Sequence, residues 1–137
     1  AKTPRGKLVI HVRTMGAIGL SFDWLTYTSL RLSRLSMKEL QEASQRLAKR
    51  LTYLLEPIQV IEVDEDLETI QLRSQPPTKE ESSICYYELL ARKGGELRFV
   101  RYRKNSKQNR ETIPSNVTFQ VLERLTHDLD MVNDVDN

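Results

Sequence analysis

Two adjacent glycines, Gly94 and Gly95, stand between two runs of residues that favour β-strands, one ending at Lys93 and the other beginning at Glu96. A tight two-residue turn between antiparallel strands needs a positive φ, which glycine adopts without a steric penalty. The sequence therefore predicts a β-hairpin closed by these two glycines. This hairpin is the strongest constraint that the sequence places on the fold.

A two-residue turn fixes which residues oppose each other and which share a side of the sheet. The predicted pairs are Tyr87 with Tyr102, Leu89 with Val100, Leu90 with Phe99, and Glu88 with Arg101. The side predicted to face the core carries Cys85, Tyr87, Leu89, Ala91, Val100 and Tyr102. The other side carries charged residues together with Leu90, Leu97 and Phe99, and we expect it to be only partly covered.

Alternation of apolar and polar residues predicts further strands at residues 7–14, 20–30, 58–63 and 67–73. The second strand is expected to be irregular near Trp24-Leu25, where two large apolar residues adjoin. The last two strands form a hairpin with two possible registers. A turn of two residues places Ile61 opposite Ile70, and a turn of three residues places Val60 there.

Two helices are predicted from apolar residues that recur every three or four positions. The first spans residues 36–55, and Ser36 and Glu39 form a capping box at its start. The second begins after a cap at Ser115 or Thr118.

This order of elements predicts an α+β fold, a two-layer sandwich in which an antiparallel β-meander packs against two helices. The length of 137 residues suits one domain. We expect a flexible basic N-terminal arm at residues 1–6, a single α+β domain at residues 7–132 and an acidic C-terminal tail at residues 133–137.

Residues that commonly carry catalysis are few. The two histidines, His11 and His127, have no partner at a spacing typical of a metal site. The single cysteine, Cys85, is predicted on the core side of a strand, where a thiol is shielded. One cysteine cannot form an internal disulfide, which favours a reducing compartment such as the cytoplasm. We therefore predict no enzymatic activity, no metal and no cofactor.

Two further motifs are better explained as structural features than as ligand-binding sites. Carboxylates crowd residues 62–68, but they lack the spacing of a calcium-binding loop and fit a solvated turn. Gly16 and Gly19 have the spacing of a short phosphate-binding loop, but no helix is predicted directly after them.

Positive charge is concentrated in residues 92–110, which hold eight basic residues and one acid, Glu96, in a chain of net charge +2. Basic side chains beside aromatic ones can hold phosphates and stack bases, so nucleic-acid binding is the alternative function. Its candidate surface is Arg92, Lys93, Arg101, Arg103, Lys104, Lys107 and Arg110. The predicted pairing of Arg101 with Glu88 and the predicted burial of Tyr102 count against it.

The partly covered side of the hairpin favours a protein partner, because packing another chain on it would shield its apolar residues. The candidate partner surface is Tyr86, Glu88, Leu90, Leu97, Phe99 and Arg101. We therefore predict a non-enzymatic protein-interaction or regulatory module, a homodimer in the cytoplasm. No apolar run is long enough to span a bilayer, so no membrane partner is predicted.

Overall fold

Strands of one antiparallel sheet hold nearly half of the residues in the computed structural model, which describes residues 1–107 and 109–134. The strands are β1 (Lys7–Met15), β2 (Gly19–Thr28), β3 (Ile58–Asp64), β4 (Thr69–Ser74), β5 (Thr78–Glu80), β6 (Ser83–Arg92), β7 (Glu96–Asn105), β8 (Glu111–Ile113) and β9 (Ser115–Thr118). The helices are α1 (Leu30–Ser33), α2 (Met37–Arg50) and α3 (Phe119–Asp130), followed by a 3-10 turn at Met131–Asn133. The predicted α+β class with an antiparallel sheet is confirmed. Residues 135–137 of the predicted acidic tail lie outside the described residues.

The long strands follow one another across the sheet in the order β1-β2-β7-β6-β4-β3. Of the short strands, β5 pairs with β6, β8 with β7, and β9 with β2. β3, β4, β6 and β7 are antiparallel neighbours, as the predicted meander requires. The β1–β2 hairpin joins this meander where β2 meets β7.

β2 changes partner along its length. Its last residues, from Leu25 to Thr28, pair with β7, whereas its first residues, from Gly19 to Phe22, pair with β9. β8 pairs with the second half of β7 and is separated from β9 only by Pro114. The chain from β8 to β9 thus fills the gap that opens where β2 and β7 diverge.

The irregularity predicted in the second strand is a pair of β-bulges. The register shifts beyond the pair of His11 with Trp24, and this shift leaves Asp23 as the extra residue on β2. A second shift makes Arg13 the extra residue on β1 and restores the original register. Without the bulge at Asp23, Phe22 and Trp24 would share a side of the sheet. With it, Phe22 points to the core and Trp24 points to the opposite side.

The predicted register of the β6–β7 hairpin is wrong by one residue. Arg92 pairs with Glu96, so the loop has three residues rather than two. Of the two glycines, Gly95 alone has a positive φ, 102°, whereas a two-residue type I′ turn needs it at both central residues. A Cβ on Gly95 would also lie 2.8 Å from the Cβ of Ser33, so this glycine lets α1 approach the turn.

The one-residue shift turns every side chain of β7 to the other side of the sheet relative to the prediction. The observed pairs include Tyr86 with Tyr102, Tyr87 with Arg101, Glu88 with Val100, and Leu89 with Phe99. The predicted core side of β6 is correct, because Tyr87, Leu89 and Ala91 are buried in the core. The predicted core side of β7 is wrong.

The β3–β4 hairpin has neither of the two registers considered from the sequence. Val63 opposes Ile70, because the turn after Asp64 has four residues. The Asp64 carboxylate accepts the backbone N–H of Leu67 at 2.9 Å within this turn. A side-chain hydrogen bond of this kind stabilises a turn that apolar alternation does not reveal.

α2 begins as predicted. The Ser36 hydroxyl accepts the N–H of Glu39 at 3.1 Å, and the Glu39 carboxylate accepts the N–H of Ser36 at 3.0 Å, which confirms the capping box. The helix ends before its predicted limit, in a segment where Leu55 has a φ of 67°. Of the two proposed caps of the last helix, Thr118 is correct, and Ser115 lies in β9.

One cluster of buried side chains joins the helices to the sheet. From the strands it contains Phe22, Tyr27, Leu72, Leu89, Leu97 and Phe99, and from the helices Leu40, Leu47, Leu125 and Leu129. We call this side of the sheet the inner face. The opposite side carries Trp24, Tyr86, Leu90, Val100 and Tyr102, none of which belongs to that cluster in the described part of the chain. We call it the outer face.

Residues 1–6, the predicted flexible arm, contact the C-terminal end of the described chain. The Thr3 hydroxyl donates to the Asp130 carboxylate at 2.6 Å, and the Arg5 guanidinium pairs with Asp134. The flexibility of residues 1–6 stays a prediction. One of their contacts, that of Thr3, is with the buried carboxylate of Asp130.

The carboxylate of Asp130 shares a buried hydrogen-bond network with Tyr27. The Tyr27 hydroxyl donates to Asp130 at 2.6 Å and accepts from the amide nitrogen of Asn133 at 2.8 Å. Burial, reinforced by the hydrogen bond to Asp130, raises the pKa of Tyr27 to about 12. The network therefore favours the protonated phenol.

We expect the fold to lose stability between pH 10 and pH 12. Because the pKa of Tyr27 is higher in the folded state than its ordinary value of 10.0, its contribution is complete below that value and disappears as the pH rises towards about 12. The loss should reach about 2 kcal/mol. Urea unfolding at a series of alkaline pH values measures it. A Tyr27→Phe variant with the same alkaline decline as the wild type would contradict this assignment.

Candidate functional site

Arg101, which belongs to both predicted surfaces, is buried on the inner face. Its Nη2 lies 3.0 Å from Oε2 of Glu56 and its Nη1 lies 3.4 Å from Oε1. The guanidinium also stacks 4.2 Å above the centroid of the Tyr87 ring. Arg101 is therefore committed to a buried ion pair and is not available to a partner.

The carboxylate of Glu56 is held ionised in this pair. Burial opposes its ionisation, but hydrogen bonds from Arg101, Ser74 and Thr78 outweigh the burial and hold the pKa of Glu56 below its ordinary value. Glu56 lies directly after Leu55, which is almost fully exposed at 96%. The left-handed backbone at Leu55 thus separates an exposed side chain from a buried charge.

The six residues of the predicted partner surface do not form one surface. Tyr86, Glu88 and Leu90 lie on the outer face, as their pairing with Tyr102, Val100 and Arg98 shows. Leu97 and Phe99 are 2% and 1% exposed and belong to the core, and Arg101 lies beside them on the inner face. The physical reason is the register of β7. Half of the predicted surface is therefore core.

Trp24 is the centre of one cluster on the outer face. The His11 ring stacks on it with centroids 5.4 Å apart, and the Arg98 guanidinium lies 5.5 Å from its ring on the other strand. Asp23 accepts from His11 Nδ1 and from Arg13 Nε, each at 3.0 Å. The two bulge residues, Asp23 and Arg13, thus help to hold the His11 ring in its stacked position on Trp24.

Tyr86, Tyr102 and Arg110 form a second cluster on the outer face. The two rings lie 5.9 Å apart, and the Arg110 guanidinium stacks 3.8 Å from the centroid of Tyr102. Nη1 of Arg110 lies 2.7 Å from Oε1 of Glu88, which is almost completely buried. Tyr86 is only 3% exposed, so Tyr102 and Arg110 form the accessible part of this cluster, and the charge of Arg110 is compensated by Glu88.

The positive charge of residues 92–110 is largely neutralised by carboxylates from strands and from loops. Five of the seven residues of the predicted nucleic-acid surface have an acidic partner at 2.7–3.9 Å. The pairs are Arg92 with Glu96, Lys93 with Glu68, Arg101 with Glu56, Arg103 with Glu80 and Glu111, and Arg110 with Glu88. Among the described residues, only Lys104 and Lys107 of that set lack one. The basic residues that are clustered along the sequence therefore lie among acidic residues in the folded structure.

A shallow cavity of about 280 Å³ lies on the outer face beside the β3–β4 turn. It is lined by Glu62, Asp64, Leu67, Thr69, Gln71, Leu90 and Arg92. The lining combines apolar side chains with two carboxylates and the guanidinium of Arg92.

The groups considered for catalysis lie apart. Cys85 is buried on the inner side of β6, whereas His11 lies on the outer face at the edge strand β1, with β2 and β7 between them. Within residues 1–107 and 109–134, no three His, Cys, Asp or Glu side chains converge as a possible metal site. None of the described helices is long and apolar enough to cross a membrane.

No protein-family model, curated protein or solved structure matches this chain.

Three outer-face residues were not singled out from the sequence, namely Trp24, Arg73 and Arg98. Trp24 is the single tryptophan of the chain, and strict alternation along a regular strand would place it on the same side as Phe22. Only the bulge at Asp23 turns it outward. The alternation of Arg98 with Leu97 and Phe99 was a usable signal, because a correct three-residue loop places Arg98 beside Leu90.

Proposed function

We propose that this chain is a non-enzymatic protein-interaction module, a two-layer α+β sandwich whose outer face binds another protein chain. The cytoplasmic location expected from the single cysteine is part of this proposal. The observation that carries it is the composition of the outer face, where the partly exposed rings of Trp24 and Tyr102 lie beside arginines that stack on them.

Trp, Tyr and Arg are the residue types that contribute most to binding energy at protein interfaces. The stacking of His11 and Arg98 around Trp24 fixes this side chain before any partner arrives. A side chain that is already ordered loses less entropy on binding. The Glu88–Arg110 pair adds to this support, because it leaves no unpaired buried charge to oppose docking at this point.

Nucleic-acid binding is less well supported than protein binding. Affinity for a polyanion depends on basic residues that are free to contact phosphates. Five of the seven candidates already have a carboxylate partner, and Arg101 is on the inner face. Lys104 and Lys107 alone would give a small electrostatic contribution.

Capture from the native lysate with the tagged chain tests the proposal, with Trp24→Ala as the informative variant. We expect proteins that the wild type retains to be lost by Trp24→Ala, because truncating such an anchor costs at least about 2 kcal/mol of binding free energy. A retained protein is then purified, and its binding is followed by the emission of Trp24.

The matched control is Leu55→Ala, which removes an apolar side chain that is 96% exposed but lies after α2. It should retain the same proteins as the wild type. If Trp24→Ala folds normally and keeps every protein that the wild type retains, the outer face is not the binding surface.

A further inference from the structure

A groove of about 310 Å³ lies between α2 and the free edge of β3. β3 is the last strand of the sheet, and β4 is its one hydrogen-bonded neighbour among the described strands. The groove, which we call the α2–β3 groove, is lined by Gln45, Ala48, Lys49, Ile58, Gln59 and Val60. None of these residues belongs to the two aromatic clusters of the outer face, so the groove is a separate surface.

The hydrogen bonds between β3 and β4 show which backbone groups face the free edge. The N–H of Gln75 donates to the C=O of Pro57 at 2.8 Å, so the Pro57 carbonyl faces β4. Along an antiparallel pair, residues whose backbone groups face the partner strand alternate with residues whose groups face away. The register is regular from Ile58 to Val60, so the N–H and C=O groups of these two residues face away from β4. Among the described residues, nothing bonds to them on that side.

The side chains of the groove are apolar at its centre. Ile58 belongs to the core, and Ala48 and Val60 pack against the core while staying partly exposed. Because Ala48 has only a methyl group, α2 leaves Val60 uncovered on this side. Of the six lining residues, Lys49 alone is charged, and this exposed lysine has no ion-pair partner in the described part of the chain.

We propose that the α2–β3 groove binds an extended segment of another protein, which adds to the sheet as a strand beside β3. The free backbone groups of Ile58 and Val60 lie two residues apart, the spacing at which an extended chain presents its own N–H and C=O groups. A helical segment could not supply these groups, because its own backbone hydrogen bonds use them. About four hydrogen bonds therefore join the segment to β3.

The lining of the groove defines the chemistry of the bound segment. Alternate side chains of an added strand point to the same side of the sheet as Val60, where apolar groups cover Val60 and Ala48. Lys49 favours a carboxylate on the segment, since no acid lines the groove. A second copy of this chain is a poorer occupant, because the bulge at Ile61 interrupts β3 and prevents two such edges from pairing beyond Val60.

Selection from a random library of twelve-residue peptides displayed on phage, with the full chain as bait, tests this proposal. We expect peptides that bind the wild type but not Ala48→Phe, because the phenylalanine ring fills the groove in front of Val60. Their sequences should alternate apolar residues and contain Asp or Glu. Ala48 is a partly exposed helical residue, so the variant should keep the circular dichroism of the wild type. If no selected peptide distinguishes the two folded proteins, the groove is not a docking site.

A synthetic peptide from that selection gives the test that is specific to strand addition. Alternate N–H groups of the bound peptide face β3, and the others face solvent. N-methylation of each group in the first set should lower the affinity about twofold to tenfold, and methylation in the second set should have little effect. Binding should slow hydrogen exchange at the amides of Ile58 and Val60 but not at Gln59, which already faces β4. Equal effects of the two sets overturn strand addition.

Lys49→Glu tests the preference for an acidic segment. It should weaken binding of a selected acidic peptide about threefold to tenfold at low salt. Lys38→Glu is the matched control, because it makes the same change in charge at an exposed residue of α2 outside the groove. If the two variants bind the peptide equally well, the proposed acidic character of the segment is wrong.

Trp24→Ala separates this proposal from the function proposed for the outer face. It should bind the selected peptide as the wild type does. A peptide that Trp24→Ala loses and Ala48→Phe retains binds the outer face, which overturns docking in the groove and leaves the proposed function standing. Light scattering that shows a dimer with protected amides at Ile58 and Val60 would make a second copy the occupant and would likewise overturn the proposal.

Discussion

Replacing Glu56 by glutamine should lower the free energy of unfolding by about 3–5 kcal/mol. The substitution keeps the shape of the side chain but removes the charge that compensates Arg101, whose side chain is only 15% exposed. A buried guanidinium without a carboxylate partner has lost most of its hydration and has no ionic interaction to compensate for that loss. Urea unfolding of the two proteins at neutral pH measures the difference.

The same pair predicts a dependence on acid pH. Because the pKa of Glu56 is lower in the folded state than its ordinary value of 4.5, its contribution is present above that value and is lost as the pH falls through the folded-state pKa. The difference in stability between the wild type and Glu56→Gln should therefore shrink in acid.

Glu80→Gln provides the control for Glu56→Gln. Glu80 pairs with Arg103 at 3.7 Å, and the two side chains are 50% and 39% exposed. An exposed pair of this kind contributes about 0–1 kcal/mol. If Glu56→Gln costs no more than Glu80→Gln, the buried pair does not stabilise the fold in the way described.

Replacing Phe99 by alanine should cost about 3–5 kcal/mol of stability, through lost burial and the cavity that remains. Phe99 is 1% exposed, and its ring lies 5.8 Å from that of Phe22 and 5.3 Å from that of Tyr87. If Phe99 were an exposed partner residue, as the sequence predicted, the cost would be near zero. Urea unfolding thus decides between the two positions.

Lys104→Ala is the control for Phe99→Ala, because Lys104 lies on the same strand, points to the outer face and is exposed. Its unfolding free energy should stay within about 0.5 kcal/mol of the wild type. A Phe99→Ala variant that is as stable as Lys104→Ala would contradict the observed register of β7.

Local signals in the sequence predicted the features that local interactions create. The capping box at Ser36 and Glu39 depends on residues three positions apart, and it forms as expected. The glycines at 94 and 95 correctly located a hairpin. Its register failed, because β7 carries Leu97 and Phe99 on one side and Val100 and Tyr102 on the other. Either side could have been the core, so the hydrophobic pattern left the choice to the length of the loop.

Features that depend on distant residues could not be predicted in this way. Arg101 tolerates the inner face only because Glu56 reaches it from the segment after α2. Trp24 points outward only because β2 has a bulge at Asp23, opposite a compensating bulge on β1. The sequence suggested an aromatic and basic surface near Tyr102, but its exact members depend on these tertiary contacts.

The divided pairing of β2 has a consequence for the order in which the chain can fold during synthesis. The segment of β2 at Leu25 can pair with β7 only after Phe99 has been synthesised. The segment at Phe22 can pair with β9 only after Ser115 has been synthesised. Contacts between such distant residues slow folding, since the intervening chain must be ordered first. A nascent chain that has not yet reached β9 leaves the hydrogen-bonding edge of β2 unpaired from Gly19 to Phe22. The β1–β2 hairpin therefore leaves the ribosome long before β9 has been synthesised, and the unpaired edge of β2 favours aggregation in that interval.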